Sequence, residues 1–287
     1  MSLKKVVSFS GGRTSAYLCK IMIDTFGHEN VDFIFMDTGA EHPKTYEFIK
    51  NVDRIFNLNL ICLRGDFNQP LGKGHTYKIV DIDSIQPDLG PFAEMVKKYG
   101  TPSTAGKWCT SRMKQEIHDM YCDDKYGKEN YETWIGIRED EPRRLGNIGK
   151  SPYIRYMAEI TDADKQEVLS WWDGKSYDLG ISEWLGNCVF CFKKSNLKLA
   201  AAQRDEPELY LKWLDMIDGA KERPEQERKS RHVMYRKKLT LPQLIATFDG
   251  STGQEIKARI RGGKMIDTNS CSESCEVFGE QINWLDE

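Results

Sequence analysis

A chain of 287 residues, 39 % hydrophobic and 30 % charged, has room for one large core or for a main domain with a smaller appendage. No apolar run approaches the roughly 20 residues of a membrane span, and a net charge of −3 with a pI near 6.0 excludes a uniformly basic surface. Met1-Ser2-Leu3 runs straight into Lys4-Lys5-Val6-Val7 without the apolar stretch and cleavage site of a signal peptide, so a cytoplasmic location is expected.

Taken in order, Lys5–Phe9 reads as a strand and Thr14–Phe26 as a helix. Val31–Met36 is a continuous apolar strand, expected to be buried on both faces. Pro43 suits a first helical turn and opens a helix to about Phe56. Leu58–Leu63 reads as a third strand, Pro91–Tyr99 and Ser111–Tyr121 as helices, and Tyr131–Ile137 as a further strand. Strands separated by helices imply an α/β fold, a doubly wound and mostly parallel sheet with helices on both faces. Ligands of such sheets bind at the carboxyl ends of the strands. The second half differs: a helix starting at Thr161–Asp164 and running through Trp172, helices at Ser195–Arg204 and Pro207–Asp218, and a short segment at Leu241–Phe248. The expected division is an α/β domain over 1–160 and a smaller, mainly helical, cysteine-containing region over 161–287. Lys221 to Lys238 holds eight Lys or Arg against three Glu, which is either a solvated face or the contact for an anionic partner.

Strand one ends in Ser8-Phe9-Ser10-Gly11-Gly12-Arg13-Thr14-Ser15 and a helix follows at once. Adjacent glycines let backbone approach an anion, the hydroxyls add donors, and the helix start supplies N–H groups and a favourable dipole. This is neither a Walker A loop, which ends in Gly-Lys-Ser/Thr, nor the spaced-glycine dinucleotide fingerprint. An ordinary strand-to-helix turn is the bland alternative. Of the eight cysteines, Cys19 and Cys62 read as core residues and Cys122 as structural. Asn187-Cys188-Val189-Phe190-Cys191 places two thiols on one turn, a spacing open to zinc, iron–sulfur or dithiol chemistry.

Ser10-Gly11-Gly12-Arg13-Thr14-Ser15 resembles the PP-loop of the adenine nucleotide α-hydrolase superfamily, whose usual form is Ser-Gly-Gly-x-Asp/Thr-Ser. Asp37-Thr38-Gly39 with Pro43-Lys44-Thr45-Tyr46-Glu47-Phe48 is similar to a segment of the phosphoadenosine phosphosulfate (PAPS) reductase-like branch, and Gly136-Ile137-Arg138 with Glu141 to that branch's Gly-Ile-Arg-x-x-Glu loop. The resemblance implies an adenine nucleotide, ATP, PAPS or APS, across the sheet's C-terminal edge. Ser8, Ser10, Gly11, Gly12, Thr14 and Ser15 would hold phosphates, with Asp37, Thr38, Gly39 and Gly136 beside the nucleotide. Arg13, Asp37 and Arg138 would be the catalytic groups: Arg13 and Arg138 as cations on phosphate, Asp37 as a ligand of Mg²⁺. Without the motif, Asp37 reads as a cap and Arg138 as a surface ion pair.

Trp108-Cys109-Thr110-Ser111-Arg112-Met113-Lys114 is similar to the family's Cys-x-x-Arg-x-Lys segment. There the cysteine joins the distant pair to bind a [4Fe-4S] cluster, which implies Cys109, Cys188 and Cys191 as ligands, a fourth from Cys271 or Cys275, and Arg112 and Lys114 offsetting the charge. Zinc tying the two regions together is the alternative. Cluster-bearing reductases carry tandem cysteines where this chain has Trp108-Cys109, and the tail Glu273-Ser274-Cys275-Glu276-Val277 differs from the Glu-Cys-Gly-x-His/Leu segment of assimilatory reductases. The leading expectation is therefore an enzyme that cleaves ATP at the α phosphate and supports sulfur transfer. Its candidate macromolecular partners are a nucleic acid, as acceptor, or a sulfur-donor protein; the sequence selects neither. The rivals are a sulfonucleotide reductase releasing sulfite, with Cys271 or Cys275 as nucleophile, and a catalytically silent nucleotide sensor. The sequence sets no oligomeric state, and a homodimer is compatible with it.

Overall fold

The computed structural model describes residues 3–70, 72–102, 107–145, 149–219, 235 and 239–262. Cys271, Cys275 and, Tyr235 apart, the basic stretch from Lys221 to Lys238 lie outside them.

Alternation between strand and helix builds a six-stranded sheet. It contains β1 (Lys4–Ser8), β2 (Val31–Met36), β3 (Ile61–Asp66), β4 (Thr76–Val80), β5 (Tyr131–Ile135) and β6 (Ile154–Tyr156), in the order β4-β3-β2-β1-β5-β6. All neighbours are parallel except β3 and β4. The period of two shows directly: Val7, Phe33, Phe35 and Cys62 face one side, and Val6, Ile34, Met36 and Leu63 the other. The first side is covered by α1 (Arg13–Phe26), α2 (Pro43–Phe56) and α5 (Lys165–Trp172). The second is covered by α4 (Glu116–Tyr126) through Ile117 and Tyr121. The fully buried Leu18 and Met22 of α1 each contribute about 1.5–3 kcal/mol.

A third apolar cluster lies beside the sheet. It joins α3 (Gly90–Tyr99) to α6 (Asn196–Asp205), α7 (Pro207–Gly219), α8 (Leu241–Ala246) and α9 (Gly253–Gly262), with Phe92, Phe190 and Trp213 at its centre. The fold is thus α/β with a helical C-terminal region.

Boundaries differ where local chemistry competes. Strand three begins at Ile61, three residues later than expected, because Asn57 (φ 54°) and Asn59 (φ 52°) turn the chain and Leu60 N–H is tied to Asp53 Oδ1 at 2.8 Å. Strand five stops at Ile135, so Gly136 to Arg138 form a loop. The helix expected to start within Thr161–Asp164 begins at Lys165, because Asp164 is the N-cap of α5, accepting from Glu167 N–H at 2.8 Å. The run from Trp108 to Tyr126 is helical but includes a π-helical stretch at Ser111–Gln115.

Candidate functional site

The chain leaves β1 toward β2 on one side, and β5 lies on the other, so the strand order reverses beside β1. In a parallel sheet that reversal opens a crevice beyond the carboxyl ends of the strands. The loops after β1 and β5 form its two lips. Gly11, at φ +77°, makes the turn, and a Cβ there would stand 2.9 Å from Ile49 Cδ1. Gly12 is the N-cap of α1; no side chain caps this helix, and its first turn holds no acid. Helices α5, α6 and α8, by contrast, are capped by Asp164, Ser195 and Thr240. The α1 terminus therefore keeps N–H groups and positive dipole available to an anion.

Hydroxyls brace the loop: Ser10 Oγ and Ser15 Oγ are 2.9 Å apart, Ser10 N–H reaches Ser15 Oγ at 3.2 Å, and Ser15 Oγ donates to Gly12 O at 3.0 Å. Ser8 ends β1 and is buried. Across the crevice Gly136 packs on α1, since a Cβ there would meet Ser15 Cα and N at 3.2 Å. That close approach brings Arg138 to the loop. Its guanidinium is 3 % exposed, donates to Thr14 Oγ1 at 3.3 Å, and is steadied by Asp140 Oδ1 at 2.7 Å.

Arg13 is turned elsewhere. It makes a two-pronged pair with Asp178, Nε to Oδ1 at 2.6 Å and Nη2 to Oδ2 at 2.8 Å. Burial acts to raise the Asp178 carboxyl, but the Arg13 hydrogen bond and charge outweigh it and hold the group below its ordinary value.

The end of β2 carries a buried polar cluster. Asp37 accepts from Gly39 N–H at 3.0 Å, Tyr46 OH at 2.9 Å and Arg64 Nε at 2.6 Å. Glu41, unmarked in the sequence, accepts from Thr38 Oγ1 at 2.9 Å and lies 3.0 Å from the same Tyr46 hydroxyl and 3.9 Å from Lys114 Nζ. Burial pushes the Glu41 carboxyl up, Lys114 opposing and Asp37 adding. Gly39 (φ +73°) packs under the start of α3, where Leu89 N–H donates to its carbonyl at 3.0 Å. The structure thus collects Ser8, Ser10, Gly11, Gly12, Thr14, Ser15, Asp37, Thr38, Gly136 and Arg138 at one sheet edge. Gly39 stands against α3 and Arg13 against Asp178.

Cys188 and Cys191 flank a turn closed by Cys191 N–H donating to Cys188 O at 3.1 Å. Cys188 Sγ lies 3.7 Å from Glu41 Oε1 and 4.0 Å from Thr38 Oγ1, and Cys109 and Cys191 pack against the apolar cluster that buries Cys188. Among the described residues no three His, Cys, Asp or Glu side chains are placed to hold one metal ion. The three thiols expected as cluster ligands share a core here without being assembled as a ligand set. Arg112 pairs with Glu116 at 2.5 Å, and Lys114 is buried beside Glu41. Cys19, Cys62 and Cys122 are core residues, with burial raising all three thiols and taking Cys62 to about 12. Among the described residues no helix is long and apolar enough to cross a membrane.

Comparison with known proteins agrees with this geometry. A family model, the phosphoadenosine phosphosulfate reductase domain, matches residues 4–70, which carry the β1 loop and the β2 segment. The chain belongs to the PAPS reductase-like family of the adenine nucleotide α-hydrolase superfamily. It is 43 % identical over 283 residues to the uncharacterized nin region protein ORF290 of Escherichia phage lambda, covering 97 % of each chain. Two uncharacterized proteins of Methanocaldococcus jannaschii, MJ0066 and MJ0973, are 23 % and 27 % identical over 74 % and 73 % of this chain, which spans 41 % and 46 % of theirs. The family makes this a nucleotide-binding, PAPS-reductase-like protein of an enzyme superfamily.

Proposed function

We propose that the crevice binds ATP and that the protein cleaves it at the α phosphate, adenylating an acceptor that then takes up sulfur. The observation carrying this is the uncapped, acid-free start of α1 at Gly12, faced by the buried guanidinium of Arg138. Attack of an acceptor oxygen on the α phosphorus forms one P–O bond and breaks the bond to pyrophosphate. A later sulfur nucleophile displaces AMP from the adenylated carbon or phosphorus centre. Backbone N–H groups at Gly11 and Gly12 and the Arg138 guanidinium stabilise the charge growing on the departing oxygen, while the Ser10 and Ser15 hydroxyls, bonded to each other and to Gly12 O, hold the loop in shape.

Arg13 serves in this reading as a strut to Asp178. Asp37 orders the β2 end through Arg64 and Tyr46, its oxygens already accepting three protein donors. Residues 1–160 form the nucleotide-binding unit, with 161–287 as the appended helical region. Sulfur transfer, a [4Fe-4S] cluster and a nucleic-acid acceptor rest on the resemblance of Cys109, Cys188 and Cys191 and on the Lys221–Lys238 charge. A bound cluster would supply or hold sulfur.

A second reading, reduction of a sulfonucleotide, is favoured by the matched family model itself. Anaerobically purified protein is incubated with ATP plus bulk tRNA or DNA, and separately with PAPS or APS plus a thiol. Pyrophosphate in the first arm is expected. Sulfite in the second transfers the assignment to the reductase, and binding without turnover in every arm leaves a nucleotide sensor.

A further inference from the structure

Two polar atoms beside the phosphate loop have no protein partner. Thr45 is 2 % exposed, and its Oγ1 accepts and donates nothing; Asn187 is partly buried, and its Nδ2 is enclosed and likewise unpaired. Leaving such groups unmatched is costly, so orphans of this kind are rare and mark places completed by water or ligand. Both residues line the same cavity, about 20 Å³, together with Ser10, Gly11 and Gly12. That volume admits one water-sized group.

Neither residue is there by accident of packing. Thr45 lies in the first turn of α2, its methyl 3.1 Å from where a Gly11 Cβ would stand. Asn187 holds a left-handed backbone, φ 54°, in the turn before Cys188, and the opposite wall it belongs to runs from Leu179. Two unpaired donors and the N–H groups of an uncapped helix thus border room for a single oxygen, and the one carboxylate on the lining, Glu183, is already paired with Lys198 at 2.9 Å. That set suits an anionic oxygen better than a cation, since a bare amide N–H₂ repels a metal.

We propose that Thr45 and Asn187 are ligand-contacting residues, each donating to one non-bridging phosphoryl oxygen held at the foot of the Ser10–Gly12 loop. This rests on the nucleotide reading above and extends it to the second half of the chain. The oxygen belongs either to the nucleotide's α phosphate or to its pyrophosphate portion.

The test is calorimetry with ATP, AMP and inorganic pyrophosphate on the full chain, wild type against Thr45→Val and Asn187→Gly. The first deletes the hydroxyl at constant shape, and the second deletes the amide while tolerating the backbone. Each variant is expected to weaken ATP about tenfold, the loss of one hydrogen bond to a charged group. A parallel loss with AMP assigns the oxygen to the α phosphate, and a parallel loss with pyrophosphate assigns it to the leaving portion. Ligand-free Thr45→Val is expected to melt at or above the wild-type temperature, because an orphan is removed. Melting below wild type would make the hydroxyl structural and overturn its part. Wild-type binding with both variants unchanged overturns the proposal and leaves the nucleotide reading intact; a wild type that binds none of the three removes both.

Discussion

The two ends of the sheet make an instructive contrast. Where the strands begin, two open grooves of about 680 and 380 Å³ share Leu3, Lys5 and Phe26. Their cations are held by nearby acids: Lys4 by Asp32 at 2.9 Å, Lys5 by Glu132 at 3.6 Å, Arg155 by Glu159 at 3.0 Å. Where the strands end, the cavity is about 20 Å³, yet Thr45 and Asn187 are unpaired there and α1 begins without a cap. Concavity reports shape alone. Enclosed donors without acceptors report chemistry left to be completed, and in a parallel sheet the loops and helix starts able to supply them gather at the carboxyl ends.

The contrast breaks most readily at Gly11. Gly11→Val forces a β-branched residue to φ +77° with its Cβ 2.9 Å from Ile49. It is expected to cost about 3 kcal/mol in urea unfolding and to abolish the heat of ATP binding. Arg64→Ala leaves the carboxylate of Asp37, 1 % exposed, without its cation. A loss of about 2–3 kcal/mol is expected, with Arg64→Ala/Asp37→Asn recovering part of it, again read by urea unfolding.

Asp178→Asn is expected to cost about 1 kcal/mol at neutral pH, the side chain being partly exposed. Since the folded carboxyl is held below its ordinary 3.8, the pair's contribution is present above that value and disappears as the pH falls through the lower folded value. Thermal melts from pH 7 to pH 2 should therefore show wild type and variant converging below about pH 4. Smallest is Lys5→Ala at the opposite end, expected to change stability by under about 0.5 kcal/mol and ATP affinity by less than twofold. A larger affinity change there would move the site to the grooves.

Much of this was legible in the order of residues. The hydroxyl-rich Gly-Gly loop between an apolar strand and a helix announced the α1 terminus, because φ > 0 and close backbone approach both select glycine. Strand β2 and helix α2 fell at their expected ends, Val31–Met36 and Pro43–Phe56. Edge strand β4 was hidden because only one side of it is paired and Ile79 is 62 % exposed, so no apolar alternation survives. Glu41 gave no signal, since its role depends on meeting Cys188 from 147 positions away. Thr45 stood out only as part of the family-like Pro-Lys-Thr-Tyr segment, which gave it no role. That its hydroxyl lacks a partner follows only from which atoms surround it. The Arg13 pairing was equally out of reach, because Asp178 lies 165 positions on, beyond any local pattern.

One small contact has a wider consequence. Glu41 and Cys188 form an antiparallel bridge, and Val189 N–H donates to Ala40 O at 3.1 Å, so main chain from the second half is stitched to the end of β2. Such a seam is indifferent to side-chain identity but strict about spacing. A chimera that takes its second half from a relative is therefore expected to keep this seam only if the loop after β2 comes from the same parent as the turn that carries Cys188.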